Sequence, residues 1–121
     1  MSDQLFEGLD RVFHEPKRLG IVSSLCAAKG GLSFVQLKNI LQMTDGNLSR
    51  HLSLLEEQGM VIVRKEFVGA KPRSTVLLTA KGNDEFRAYL SVLEEVLRSA
   101  QQGMAPESEA SLDDALPQPS A

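Results

Sequence analysis

The chain has 121 residues, 42% apolar and 24% charged, which fits one soluble domain with a modest core and an appendage and leaves too little chain for two full domains. A single cysteine excludes an internal disulfide, and with only two histidines beside it there is a thin stock for a transition-metal site, so no metal or other cofactor is expected. The formal charge of −3 hides a division: residues 1–102 carry all 13 Lys and Arg for a net +1, whereas residues 103–121 carry Glu107, Glu109, Asp113 and Asp114 without a base, net −4.

The opening Met1-Ser2-Asp3-Gln4 has no basic region before an apolar run. No stretch approaches the roughly 18 to 20 apolar residues of a membrane span, so a cytoplasmic protein without membrane contact is expected. A first helix is predicted over Asp3 to Phe13, where Leu5, Leu9 and Val12 repeat at helical spacing and Phe6 and Phe13 form a second row. The chain breaks at His14-Glu15. Pro16 suits the first position of a new helix, where its missing N–H costs nothing, and this helix should run to about Ala28 and stop at Gly30-Gly31. Cys26 lies in the apolar run Ile21 to Ala27 and is expected to be a packed core thiol, a redox sensor being the sharper alternative.

Ser33 reads as the N-cap of a short helix, Phe34 to Leu41, with Phe34, Leu37 and Leu41 inward. After a Gln42-Met43 turn, Thr44 caps the next helix, which ends at Gly59. The period then changes: Val61 and Val63 alternate with Ile62 and Arg64, and Phe67-Val68 extend the strand. Gly69 to Arg73 is predicted as a turn and Ser74 to Leu78 as the returning strand of a hairpin. Thr79 can cap a last helix from Ala80 to about Gln101. Residues 103–121, rich in Ser, Ala, Pro and acid, read as a disordered, solvated acidic tail behind a domain of residues 1–102. The fold class is therefore mainly α with a small β-hairpin.

The helix behind Thr44 has two unlike faces. At 100° per residue Leu48, Leu52 and Leu55 fall within about 60° of one another. The other side presents Gly46, Ser49, Arg50 and Ser53, with Asn47 and Leu54 on one shoulder and Asp45 on the other. Small polar residues around one arginine allow close approach to a surface rich in donors and acceptors, as a DNA major groove is: Arg can pair bidentately with guanine, Asn with adenine, and Ser can serve bases or phosphates. The bland alternative is an amphipathic surface helix with its polar residues wet. Context favours the first reading: a short helix, a tight turn and this helix form a helix-turn-helix, and the hairpin behind it carries Arg64, Lys65, Lys71 and Arg73 against Glu66, net +3 over ten residues. Those cations suit phosphates or the minor groove.

In "FHEPKRLGIVSSL", "LSFVQLKNIL", "TDGNLSRHLSLLEEQGMVIVRK" and "RSTVLLTAKGNDEF", taken in that order over about residues 5 to 100, the chain resembles the winged-helix transcription regulators of the MarR/ArsR-like kind, especially the small single-domain MarR-like group. The resemblance implies a winged helix-turn-helix that binds double-stranded DNA as a homodimer, with the helix from Thr44 to Gln58 in the major groove and the hairpin as the wing. It points to Asn47, Ser49, Arg50 and Ser53 on the reading helix, to Lys71 and Arg73 on the wing, and to Ser33 and Thr44 as backbone contacts; the charge of the hairpin adds Lys65 to these expected DNA contacts. The paired-cysteine motif of ArsR-type metal sensors is missing, since Gln36 to Asn47 contains neither Cys nor His. A small-molecule or protein effector is left open.

A dimer is also expected from the residues themselves. The last helix has Phe86, Leu90, Leu93 and Leu97 at 4, 3, 4 spacing, with Tyr89, Val92 and Val96 as a second row. Together with Leu5, Phe6, Leu9 and Phe13 of the first helix these exceed what one small body needs, so a symmetric interface between the N- and C-terminal helices of two copies is expected. An enzyme is disfavoured: His14 sits at a helix boundary and His51 beside the leucine stripe, with no acid, base and nucleophile at a persuasive spacing. The main alternative is a winged helix kept for protein contact, with DNA binding lost.

Overall fold

The computed structural model describes residues 8–104. In chain order the elements are α1 (Pro16–Ala27), β1 (Leu32–Ser33), α2 (Phe34–Leu41), α3 (Asp45–Glu57), β2 (Val61–Val68), β3 (Lys71–Leu78) and α4 (Ala80–Met104). The fold is mainly helical with a small antiparallel sheet in the order β1-β3-β2. None of the described helices is long and apolar enough to cross a membrane.

The helix starts follow from local chemistry. Glu15 accepts the Arg18 amide at 2.7 Å with Pro16 in the first turn of α1. Ser33 and Gln36 form a reciprocal capping box on α2, at 3.0 and 2.8 Å. The Thr44 hydroxyl accepts from the Asn47 amide at 3.2 Å, and Thr79 accepts from the Gly82 amide at 2.9 Å while donating to the Gly59 carbonyl at 2.7 Å. Gln42 closes α2 in the left-handed region at φ 54° and turns the chain into α3.

Three expectations are corrected. Residues 8–15 form turns and bends, not the end of a helix, and the part of the expected helix over residues 3–7 lies outside the described residues. Asp10 takes the Val12 amide on its side chain and the Phe13 and His14 amides on its carbonyl, and the Arg18 guanidinium donates to the Val12 and Arg11 carbonyls, so a side-chain-braced turn stands in place of a continuous helical ladder. The hairpin loop is only Gly69-Ala70: Lys71, Pro72 and Arg73 belong to β3, paired with Val68, Phe67 and Glu66. Gly69 at φ 66° in the first loop position is the pattern of a type II′ turn, which brings the strands together sooner than a five-residue turn would. Cys26 is exposed, because α1 turns Ile21, Val22 and Leu25 inward and leaves Cys26 on the next face. Partial burial still raises its thiol pKa.

The core joins Ile21, Val22 and Leu25 of α1, Leu37 of α2, Leu48, Leu52 and Leu55 of α3, Val61 and Val76 of the sheet, and Phe86 and Tyr89 of α4. Phe13 packs against the last two, which themselves stack at 5.7 Å: it lies 5.1 Å from the Phe86 ring in an edge contact and 5.6 Å from Tyr89. The start of α4 is clamped to the end of α3. Lys81 donates to the Gln58 carbonyl at 2.7 Å, and a Cβ on Gly82 would stand only 2.2 Å from the Met60 oxygen.

Candidate nucleic-acid interface

With Leu48, Leu52 and Leu55 in the core, α3 must present its opposite side. Gly46, Ser49, Arg50 and Ser53 are all exposed, and nothing stands within 4 Å of where a Cβ on Gly46 would be. Asn47 is half-buried on the shoulder, and its Oδ1 accepts from Arg50 Nη2 at 2.8 Å. Leu54, on the same shoulder as Asn47, is also half-buried. The first turn of α3 is tied to α2 by Lys38 and Asp45 at 2.9 Å.

The hairpin rises beside this face. Val61 and Val63 point into the body, so by the two-residue period Lys65 and Phe67 continue the same side of β2, with Pro72 and Ser74 opposite them on β3. Ser49, Ser53 and Glu56 of α3 face Val63, Lys65 and Ser74 across a cleft of about 610 Å³ whose floor includes Phe34. A second cleft of about 590 Å³ lies between the start of α2 and the hairpin, where Lys65, Lys71 and Arg73 surround the apolar Val35, Val68 and Pro72. Arg64 looks away from the first cleft beside Thr75, whose hydroxyl donates to Glu66 at 3.2 Å.

The sequence-assigned residues thus divide. Asn47, Ser49, Arg50, Ser53 and Lys65 gather on or beside one face, Lys71 and Arg73 stand on the hairpin flank, and Thr44 is exposed at the foot of α3. Ser33 is only 7% exposed; its hydroxyl accepts from the Gln36 amide and caps α2, at the edge of the second cleft that Lys71 and Arg73 also line.

Sequence reasoning missed a buried strut behind α3. His51, 8% exposed, receives Arg18 Nη1 on Nδ1 at 3.1 Å, and Arg18 Nε reaches the Val12 carbonyl at 2.7 Å. Burial lowers the His51 pKa most, and the Arg18, Arg50 and Lys17 charges lower it further against an upward pull from Glu15. Burial alone would raise the Glu15 pKa, but the Arg18 amide and the His51 and Arg18 charges leave it lowered. No local signal pointed to this strut, since Arg18 and His51 lie 33 residues apart and nothing in either local pattern connects them. His14 meets the Tyr89 hydroxyl at 2.8 Å, and burial raises the Tyr89 pKa.

The expected dimer residues divide as well. Phe13 and Tyr89, 0% and 1% exposed, are spent in the core of the single chain and have no surface left for a partner, because the turn over residues 8–15 inserts Phe13 against Tyr89. Leu9 and Leu93 pack against that core, and Val92 lies against Gly8. Leu90 and Leu97 are 40% and 52% exposed, and Val96 is half-buried. Leu5 and Phe6 lie outside the described residues, as does the acidic tail from residue 105. Among the described residues no cluster of His, Cys, Asp and Glu is arranged to hold a metal ion.

Residues 17–97 match the family described as winged helix DNA-binding domain. An uncharacterized protein of Methanocaldococcus jannaschii is 32% identical over 80 residues, which are 66% of this chain and 86% of that one. A transcriptional regulator homologue from Pyrococcus horikoshii OT3 superposes with a TM-score of 0.75 at 31% identity, over 83% of this chain and 99% of that chain. The S. aureus MepR protein in its DNA complex superposes with a TM-score of 0.68 over 94% of this chain and 88% of that chain; at 20% identity the likeness is one of fold.

Proposed function

The chain belongs to the winged helix DNA-binding domain family and has the winged helix-turn-helix architecture of the MarR-like regulators, and from that premise we propose that it is a sequence-specific transcriptional repressor acting as a homodimer on a pseudo-palindromic operator. The observation that carries this reading is Arg50, poised by Asn47 among Gly46, Ser49 and Ser53 on a face that opens toward the basic hairpin. In this reading α3 lies in the major groove, Arg50 and Asn47 meet base edges, and Ser49, Ser53 and Thr44 meet bases or phosphates. Lys65, Lys71 and Arg73 hold the backbone or enter the adjoining minor groove. That neighbours of this fold are a transcriptional regulator homologue and a protein crystallised with DNA supports the same reading.

The second copy would dock on α4. Phe86, Leu90, Leu93, Leu97, Ala100 and Met104 follow a 4, 3, 4, 3, 4 spacing; Phe86 is buried and Leu93 half-buried, whereas Leu90, Leu97 and Met104 are 40%, 52% and 72% exposed. Beyond the core, nothing among the described residues covers this stripe. A two-fold partner there would set two reading helices about 34 Å apart, one turn of DNA. Repression follows from occupancy: a bound dimer excludes other proteins from the sequence it covers.

The test is selection of duplex fragments from sheared host DNA by the purified full-length chain at near-physiological salt. Recovery of one pseudo-palindromic sequence supports the proposal. Recovery of nothing above background from a folded protein contradicts it and leaves the winged helix as a protein-binding module.

A further inference from the structure

Phe67 is 73% exposed, the most exposed of the large apolar side chains among the described residues, and the fold gives it nothing to pack on. It stands two residues from the Gly69-Ala70 loop, and its neighbour across the strands is Pro72. On its own strand and face the preceding residues are Val63, half-buried, and Lys65, which borders the cleft against Ser49 and Ser53 of α3. The apolar pair Phe67 and Pro72 therefore extends the side of the hairpin that looks toward the outer face of α3. Cations flank it: Lys65 behind, with Lys71 and Arg73 on the opposite strand.

An aromatic ring left in water at a basic tip gains free energy only when something outside the chain removes it from water. The cations select a polyanion as that partner. Phenylalanine and proline are among the side chains that enter a minor groove as wedges, partly unstacking one base step and bending the duplex away. We propose that Phe67, backed by Pro72, is such a wedge: when α3 occupies the major groove, the hairpin tip inserts the ring between base pairs in the adjoining minor groove. The inference rests on the DNA-binding reading above. It adds a consequence that reading lacks, namely that binding unwinds and bends the duplex, so that flexible pyrimidine–purine steps at the flanks of the site are selected without a hydrogen bond to their bases.

The test uses the full chain and a closed circular plasmid relaxed by a topoisomerase in its presence, the change in linking number being read after the protein is removed. Binding is followed in parallel with a labelled short duplex at the same salt, so that unwinding is compared at equal occupancy. The parent and Phe67→Leu should leave the plasmid underwound. Phe67→Ala and Phe67→Lys should lose most of that shift when compared with the parent at equal occupancy. Since the side chain is exposed, the variants should keep the parent's circular dichroism and melting. Equal unwinding by parent and Phe67→Ala at matched occupancy overturns the wedge while DNA binding stands. Failure of the folded parent to bind duplex removes the functional reading and the wedge together. Phe67-dependent binding to phosphatidylserine vesicles without plasmid unwinding would assign the tip to a membrane surface instead.

Discussion

Arg50 Nη2 donates to Asn47 Oδ1 at 2.8 Å, one helical turn apart on the outer face of α3. The contact restrains a long side chain that would otherwise lose rotamer freedom on binding, and it aims the guanidinium before any DNA is met. Arg50→Ala should weaken binding to the selected operator by about 1 to 3 kcal/mol and relax preference at one base pair of each half-site. Asn47→Ala should give a smaller loss while the preferred base at the Arg50 position is kept. Titrations against the operator and its single-base variants check both.

Lys71 stands at the hairpin tip, exposed and across from Val68. A phosphate contact there carries no sequence information, so Lys71→Ala should weaken all duplexes alike and reduce the slope of log K against log salt by about 1. A salt series on operator and random duplex distinguishes this from the Arg50 effect.

Two glycines make opposite predictions. A Cβ on Gly82 would meet the Met60 carbonyl at 2.2 Å, and a backbone oxygen cannot swing aside. Gly82→Ala should destabilise the fold by about 1 to 3 kcal/mol in chemical denaturation. Gly46 has open space around it, so Gly46→Ala should raise stability by up to about 1 kcal/mol. The added methyl would stand between α3 and the groove, so the same variant should bind operator more weakly.

The strut behind α3 makes stability depend on pH. Arg18 donates to His51 Nδ1, so the ring must be neutral there, and burial holds its folded pKa below the ordinary 6.5. The unfolded chain then binds the extra proton first, so stability is complete above the unfolded value and falls as pH drops below about 6.5 toward the folded one. Melting temperature from pH 7.5 to 5 should decline in the parent, and His51→Phe should remove the histidine part of that decline.

Leu90 and Leu97 are seven residues apart and both exposed among the described residues. Leu97→Glu should give a folded monomer by sedimentation, with operator affinity reduced because two half-sites can no longer be held at once. Dimers of unchanged stability would place the interface elsewhere.

The parts of the fold that were legible in the sequence are those fixed over three or four residues. Ser33 with Gln36, Thr44 before α3, Thr79 before α4 and Pro16 in α1 each mark a helix start, because the capping chemistry is contained in the words themselves. Illegible features depend on distant partners. β1 is two residues whose only identity as a strand is pairing with Thr75 and Val76. The helical spacing of Leu9, Val12 and Phe13 was matched by a turn, since Arg18, remote from any local pattern, takes its carbonyls. Cys26 shared an apolar run with core residues yet lies on another face of α1. For the candidate site, the outer face of α3 could be read from its period, but the Arg50–Asn47 contact and the burial of Ser33 could not.

The central claim is that the outer face of α3 and the adjoining hairpin form one DNA-reading surface. The most direct measurement is to titrate a short duplex into the isotope-labelled chain at low salt and follow each backbone amide by NMR. Shifts concentrated in residues 44–53 and 64–74, with the far end of α4 unmoved, are the predicted result. Shifts centred on α4, or no shifts in the presence of excess duplex, would contradict it.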